Sequence, residues 1–286
     1  MNYNPYASPT AQPQPPQYSQ GGGGGGYGGR MPPVGDVLRQ SWELFKQNAG
    51  VAIGSLFVVL FIIGIPMFGP TLGLRIYLLR DVVSAASSGA RYGRPPLMPA
   101  EYFMWQPVLS LWTLVIGQIF APGTTRMNVA IARNESPSMG IVFSGFDRVP
   151  AALGWALLVQ TPLLLVQGLV AVLALADVGP VALQAFTNLS LLALLPIVVL
   201  QCLGLVFVPW FIVDRKLGPI AAAKAAWRAT SNYRGETFLL MLALVGFNVL
   251  GCCAFCVGIF ITAPWSMVAI AYAYAHLPQE QYASQG

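Results

Sequence analysis

The chain has 286 residues and a mean hydropathy of +0.63; 56% of it is hydrophobic and only 9% charged. Soluble domains run near a quarter charged, so this composition excludes a water-covered globular surface. The net charge of +5 is spread among apolar segments rather than gathered into a patch, which excludes a nucleic-acid footprint and marks the basic residues as determinants of membrane topology.

Residues 1–33 repeat Pro, Gln, Tyr and Ser, then run through Gly21 to Gly26, with Arg30 the only charge. Such a segment cannot bury enough apolar surface to offset its ordering entropy, so it is predicted to be disordered. It lacks the basic and apolar regions of a signal peptide and is expected to stay on the chain. A solvated tail is the preferred reading; the sharper one is an arm that docks a partner protein through Tyr3, Tyr6, Tyr18 and Tyr27.

From residue 34 to 277 the sequence predicts an all-α, polytopic transmembrane helix bundle, followed by a short tail over 278–286. Long apolar runs such as Ala151 to Ala176, Leu189 to Val213 and Phe238 to Ala275 suffice to cross a bilayer core, which takes about 20 residues. Strict alternation is missing, which argues against a barrel, and lipid leaves helices as the remaining spanning structure.

Within this domain a Pro or Gly turn followed by aromatic residues recurs: Pro33-Val34-Gly35 leads to Trp42 and Phe45, Pro95-Pro96 to Tyr102, Phe103 and Trp105, Pro137 to Phe143 and Phe146, and Gly218-Pro219 to Trp227. In the first segment Leu38, Trp42 and Phe45 recur at i, i+4, i+7, opposite Asp36, Arg39, Glu43 and Lys46. In the last, Lys224 and Arg228 at i, i+4 flank Ile220, Ala223 and Trp227. Trp42, Phe45, Lys224, Trp227 and Arg228 are therefore predicted to lie at the membrane interface, in helices parallel to its plane that meet anionic lipid headgroups. Each segment precedes an apolar stretch broken near its middle, at Gly64–Pro70, Gly117–Gly123, Asp177–Pro180 and Gly251–Gly258. This predicts repeated units of interfacial helix plus hairpin, with those breaks as outer turns.

Charge supports the scheme. None of the 15 basic residues falls in a proposed outer turn, and Arg91, Arg94, Arg148, Arg215, Lys216, Lys224 and Arg228 all fall on the inner side. Because cytoplasmic loops are enriched in Lys and Arg, both termini are expected in the cytoplasm. Arg75, Arg80, Arg126 and Arg133 interrupt segments 69–88 and 121–134, leaving about six robust spans.

Catalytic chemistry finds little footing. The lone His276 has no carboxylate or nucleophile near it in sequence, and P-loop, dinucleotide, G-x-S-x-G and metal-ligand spacings are absent. No catalytic, cofactor-binding or metal-binding residues are assigned. Cys253 and Cys256 have C-x-x-C spacing, but no basic residue lies within a turn to lower a thiol pKa, so these cysteines and Cys252 are read as small, polarizable residues at a helix tip. The amides at membrane depth, Gln160, Gln167, Gln201 and Asn248, are candidates for a polar pathway; bonding across dry helix interfaces is the preferred reading.

The segment Ser41-Trp42-Glu43-Leu44-Phe45-Lys46-Gln47-Asn48, its echo Ala226-Trp227-Arg228-Ala229-Thr230-Ser231-Asn232, and Ala263-Pro264-Trp265 give the chain a resemblance over residues 34–277. It resembles a broad group of bacterial membrane proteins, similar in style to the membrane domain fused to some glycerophosphodiester phosphodiesterases. The resemblance implies an inner-membrane location, and it extends to the membrane domain alone, with no phosphodiesterase activity expected of residues 34–277. The expected function is a non-enzymatic organiser of lipid or membrane partners, with a small-solute transporter as the alternative, suggested by Pro-broken helices and buried amides.

Overall fold

A computed structural model describes residues 31–89, 100–176, 178–253 and 257–277. The described residues form eleven α-helices and no strand, the architecture of a polytopic helical bundle. The predicted tail lies outside them as far as Arg30, and Met31 is already buried in the core.

Helix α1 (Val34–Gln47) is followed after Asn48 by α2 (Ala49–Gly89), an unbroken helix of 41 residues. At 1.5 Å per residue α2 is about 60 Å long, twice a hydrocarbon core. The outer turn expected at Gly64–Pro70 is therefore not there: Pro66 and Pro70 lie inside the helix. The physical reason is visible in the hydrogen bonds. Pro70 has no N–H to offer the carbonyl four residues back, and the Trp112 indole donates to that carbonyl, on Pro66, at 2.8 Å.

Helix α3 (Ala100–Gly117) leads into α4 (Ala121–Ala132) through a bend of 45°. This corrects the turn expected at Gly117–Gly123, since a hairpin would reverse the chain. Phe103, at the start of α3, packs with Val170, Ala174 and Leu183, so α3 runs antiparallel to α5 (Val149–Leu175) and its bend points toward the start of α5. The 3-10 turns Met139–Ser144 and Phe146–Arg148 join α4 to α5. Gly123 and Gly145 lie backbone against backbone here, with no room for a Cβ on either.

The later turns agree with expectation. α5 reverses into α6 (Pro180–Ala193), with the Val178 amide closing onto the Leu173 carbonyl at 3.2 Å. After α6 come α7 (Leu195–Leu203), α8 (Val208–Asp214) and α9 (Pro219–Ala229). Pro196 falls in the first turn of α7, where its missing N–H costs nothing, and α6 and α7, separated only at Leu194, together make one apolar stretch over Val181–Leu203. α10 (Arg234–Cys253) and α11 (Ile259–Ala275) pack as a hairpin whose tip brings Gly251 and Gly258 together. A Cβ on Gly258 would lie 2.7 Å from the Gly251 carbonyl oxygen. Hairpin reversals thus occur at α5–α6 and α10–α11, but the expected repeat of interfacial helix plus hairpin does not emerge as a common unit: the segment after Pro137 forms 3-10 turns, and the first two breaks are not hairpins.

Among the described residues, four stretches are long and apolar enough to cross a membrane: Ala49–Pro66, Met139–Leu175, Val181–Leu203 and Arg234–Cys253. The bent pair α3–α4 makes a fifth when taken as one span, and α11 is a shorter apolar helix. These spans present Phe61, Ile65, Leu165, Leu189 and Val249 outward, as lipid-facing helices do. The densest core sits at one end, where Phe207, just before α8, packs with Phe211, Ile212, Ala226, Leu240 and Tyr274 from α8 to α11. Met31 and Leu277, the two ends of the described chain, are both buried in that same cluster.

Candidate functional site

The packed end of the bundle gathers most of the charged and aromatic residues singled out in the sequence. α1 contributes first. Its buried row is Val37, Ser41 and Phe45, at i, i+4, i+8, one position round from the stripe expected through Leu38 and Trp42. A serine can occupy this row because its hydroxyl is satisfied: Ser41 Oγ bonds the Leu38 carbonyl at 3.1 Å and accepts the Trp265 indole N–H at 3.1 Å. Trp42 meets Trp265 edge-on at 5.4 Å and stacks on Phe45 at 5.5 Å. The apolar side of α1 is thus occupied by α11, with Trp42 exposed at its margin and Phe45 buried. Two of the sequence segments behind the family resemblance, around Ser41 and around Trp265, touch directly.

α9 is built differently. Ala222, Ala226 and Ala229 form its buried face, and their small side chains let it lie close against the core, with Thr230 pressed onto Gly204. The opposite face presents Lys224 and Arg228, both exposed and without an ion pair among the described residues. Trp227 between them is half-buried, and the Arg234 guanidinium covers its ring at 3.8 Å.

Two ion-pair clusters lie between these helices. Arg133, at the end of α4, pairs with Asp214 on α8 at 2.8 Å, and the same carboxylate oxygen accepts the Tyr274 hydroxyl of α11 at 2.9 Å. Both partners are largely buried, so the pair is held by geometry and hydrogen bonding rather than by net Coulomb gain. In the second cluster Asp147 accepts Arg126 on one oxygen at 2.8 Å and Arg148 on the other at 3.0 Å. Arg126 also bonds the Ser144 carbonyl, and Arg148 reaches the Lys216 carbonyl at 3.3 Å. Lys216 adopts a left-handed backbone conformation at φ 56°, which turns that carbonyl toward Arg148. Sequence reasoning noted Arg126 and Arg133 as defects in a span and missed their partners. The available signal was the pairing of lone acids with basic neighbours at Asp147-Arg148 and Asp214-Arg215.

The four amides are not gathered into one site. Asn248 on α10 bonds the Leu244 carbonyl and the Ser266 hydroxyl through Nδ2, both at 2.8 Å, and accepts the Thr262 hydroxyl at 3.1 Å. Gln160 and Gln167 lie half-buried on α5, and Gln201 half-buried on α7. The Gln167 Oε1 atom is buried with no hydrogen-bond partner, and no hydrogen bond joins the four amides to one another.

Among the described residues no group of three or more His, Cys, Asp or Glu is placed to hold a metal. His276 Nδ1 lies 2.9 Å from the Tyr272 carbonyl, with its ring against the Tyr272 ring. Cys202 is half-buried, Cys252 and Cys253 are exposed, and Cys256 lies outside the described residues. Comparison with protein-family models, with curated proteins and with solved structures finds no match to this chain.

Proposed function

We propose that the chain is a non-enzymatic, multi-pass protein of the cell inner membrane that organises anionic lipid, or a partner protein, at the cytoplasmic leaflet. The observation that supports this most is the exposed cationic face of α9 at the packed end of the bundle. Among the described residues no carboxylate pairs with Lys224 or Arg228, and a basic surface beside apolar spans is the arrangement that attracts anionic headgroups. Burial of Met31 and Leu277 in one cluster supports an even number of crossings with both termini in the cytoplasm; because α2 is unbroken, the charge argument for that face rests on Arg148, Arg215, Lys216, Lys224 and Arg228 and no longer on Arg91 and Arg94.

A thermal-shift screen of the purified protein against lipids and small solutes tests the reading, because a ligand that binds only the folded state must stabilise it. Phosphatidylglycerol is expected to raise the midpoint more than phosphatidylcholine, and the double variant Lys224→Gln, Arg228→Gln to reduce that difference, each charge contributing about 1 kcal/mol near an anionic surface. Equal shifts by both lipids in the wild type would overturn it. A transporter is the second reading, favoured by the unpartnered Gln167 Oε1; a saturable shift by a polar solute would bring it forward.

A further inference from the structure

The 3-10 turns between α4 and α5 combine features that α9 lacks. Arg126 and Arg148 share the single carboxylate of Asp147, so the cluster retains one uncompensated positive charge. Each guanidinium also has donors to spare: among the described residues Arg126 uses its two terminal nitrogens and Arg148 uses Nε and one terminal nitrogen. A phosphate takes such a divided pair of arginines well, since its oxygens spread charge over several acceptors.

The apolar neighbours are specific too. Phe143 and Phe146 both pack edge-on against Phe120, at 5.5 and 5.7 Å, yet remain 43% and 50% exposed. Met139 beside them is 44% exposed. In a water-soluble loop three large apolar side chains presented this way would be costly. At the boundary of a bilayer they lie against acyl chains, one short turn from the arginines.

We propose that Arg126 and Arg148 form a discrete site for the phosphate of an anionic phospholipid, with Phe143 and Phe146 lying along its acyl chains. The site rests on the lipid-organising reading and sharpens it from a basic surface to one stoichiometric position. Asp147 acts as a built-in competitor: it holds the two guanidinium groups in place and yields part of their hydrogen bonding when a phosphate arrives. That role gives the proposal a test that loss of folding cannot imitate.

Native mass spectrometry of the full chain in detergent, titrated with phosphatidylglycerol, reads the affinity and the number of tightly held lipids. One saturable lipid is expected. Arg148→Gln should weaken it about tenfold, the loss of one charge-assisted hydrogen bond. Asp147→Asn should tighten it by a similar factor, and Lys224→Gln with Arg228→Gln should leave it unchanged. Neither phosphatidylcholine nor inorganic phosphate should displace it. Wild-type affinity in Arg148→Gln, or no tightening in Asp147→Asn, would overturn the site. Displacement by inorganic phosphate would also overturn it, by assigning the arginines to a soluble anion. A site that responds to Asp147 while the α9 variant leaves lipid preference untouched in the thermal-shift screen would separate the two, removing the cationic role of α9 and keeping this one.

Discussion

Asn248→Leu distinguishes a dry helix interface from a wet pathway. In the folded chain Asn248 Nδ2 donates across the α10–α11 interface to Ser266 Oγ, and Asn248 Oδ1 accepts from Thr262 Oγ1. The third bond, to the Leu244 carbonyl, stays within α10 and competes with the helix's own ladder. Leucine keeps the branching and heavy-atom count of asparagine while placing two larger methyl groups where the amide stood, so the substitution removes two interhelical bonds without leaving a cavity. Ser266 keeps its bond to the Thr262 carbonyl at 2.7 Å, and only the Thr262 hydroxyl loses its acceptor on α10. Interhelical bonds in membranes average about 0.6 kcal/mol and reach about 1.7, so the expected loss is about 1–2 kcal/mol. Unfolding of the purified protein in mixed micelles of dodecyl maltoside and SDS measures it. In a background without the native cysteines, Asn248→Cys should also resist a water-soluble maleimide. Wild-type stability in the leucine variant together with rapid labelling of the cysteine would refute the reasoning, because the amide would then face water.

Two further outcomes are expected. Trp112→Phe keeps the ring but leaves the Pro66 carbonyl without its donor, so it should cost about 1 kcal/mol in the same assay and raise amide exchange in α2 near Pro66; an unchanged exchange pattern would remove the account of why that helix continues. Cysteines introduced as Ser19→Cys and Ser284→Cys should stay unlabelled by an impermeant reagent in intact cells and react after permeabilisation; labelling of either in intact cells would reverse the proposed topology.

Helical class and membrane character were legible because they rest on composition and run length, which are local. The last two hairpins were legible for the same reason: Asp177–Pro180 and Gly251–Gly258 concentrate turn residues between long apolar runs. The first break misled because Gly64–Pro70 has the same composition, and what keeps α2 helical is an indole from α3, 46 positions away. At Gly117–Gly123 the glycines mark a close backbone approach rather than a reversal. Gly123 is used to admit Gly145 and the Val142 carbonyl, a contact that no local pattern encodes. Periodicity put Phe45 on an apolar face expected to meet the membrane, whereas the structure buries it against Met127, Ile131 and Trp265; it missed Ser41 because a hydroxyl reads as polar until Trp265 supplies its partner.

The division between paired and unpaired cations is where sequence and structure differ most in what they say about function. In the sequence Arg126 and Arg133 look like charges that a membrane would expel, while Lys224 and Arg228 look like an ordinary amphipathic face. In the folded chain Arg126, Arg133 and Arg148 share two carboxylates, Asp147 and Asp214, and so tie α4 to the turn before α5 and to α8. Their charge is mostly consumed inside the protein, and what remains is focused at Asp147. Lys224 and Arg228 form no ion pair among the described residues, and their helix is anchored by alanines on its other face. A helix held by packing alone leaves its charges free for an outside partner, whereas the charges on α4 are needed for the fold. On the proposed reading broad electrostatic attraction belongs to α9, where neutralisation should change lipid preference at little cost to stability. Discrete recognition belongs to the Asp147 cluster, where the groups that bind are also the groups that hold the bundle's end together.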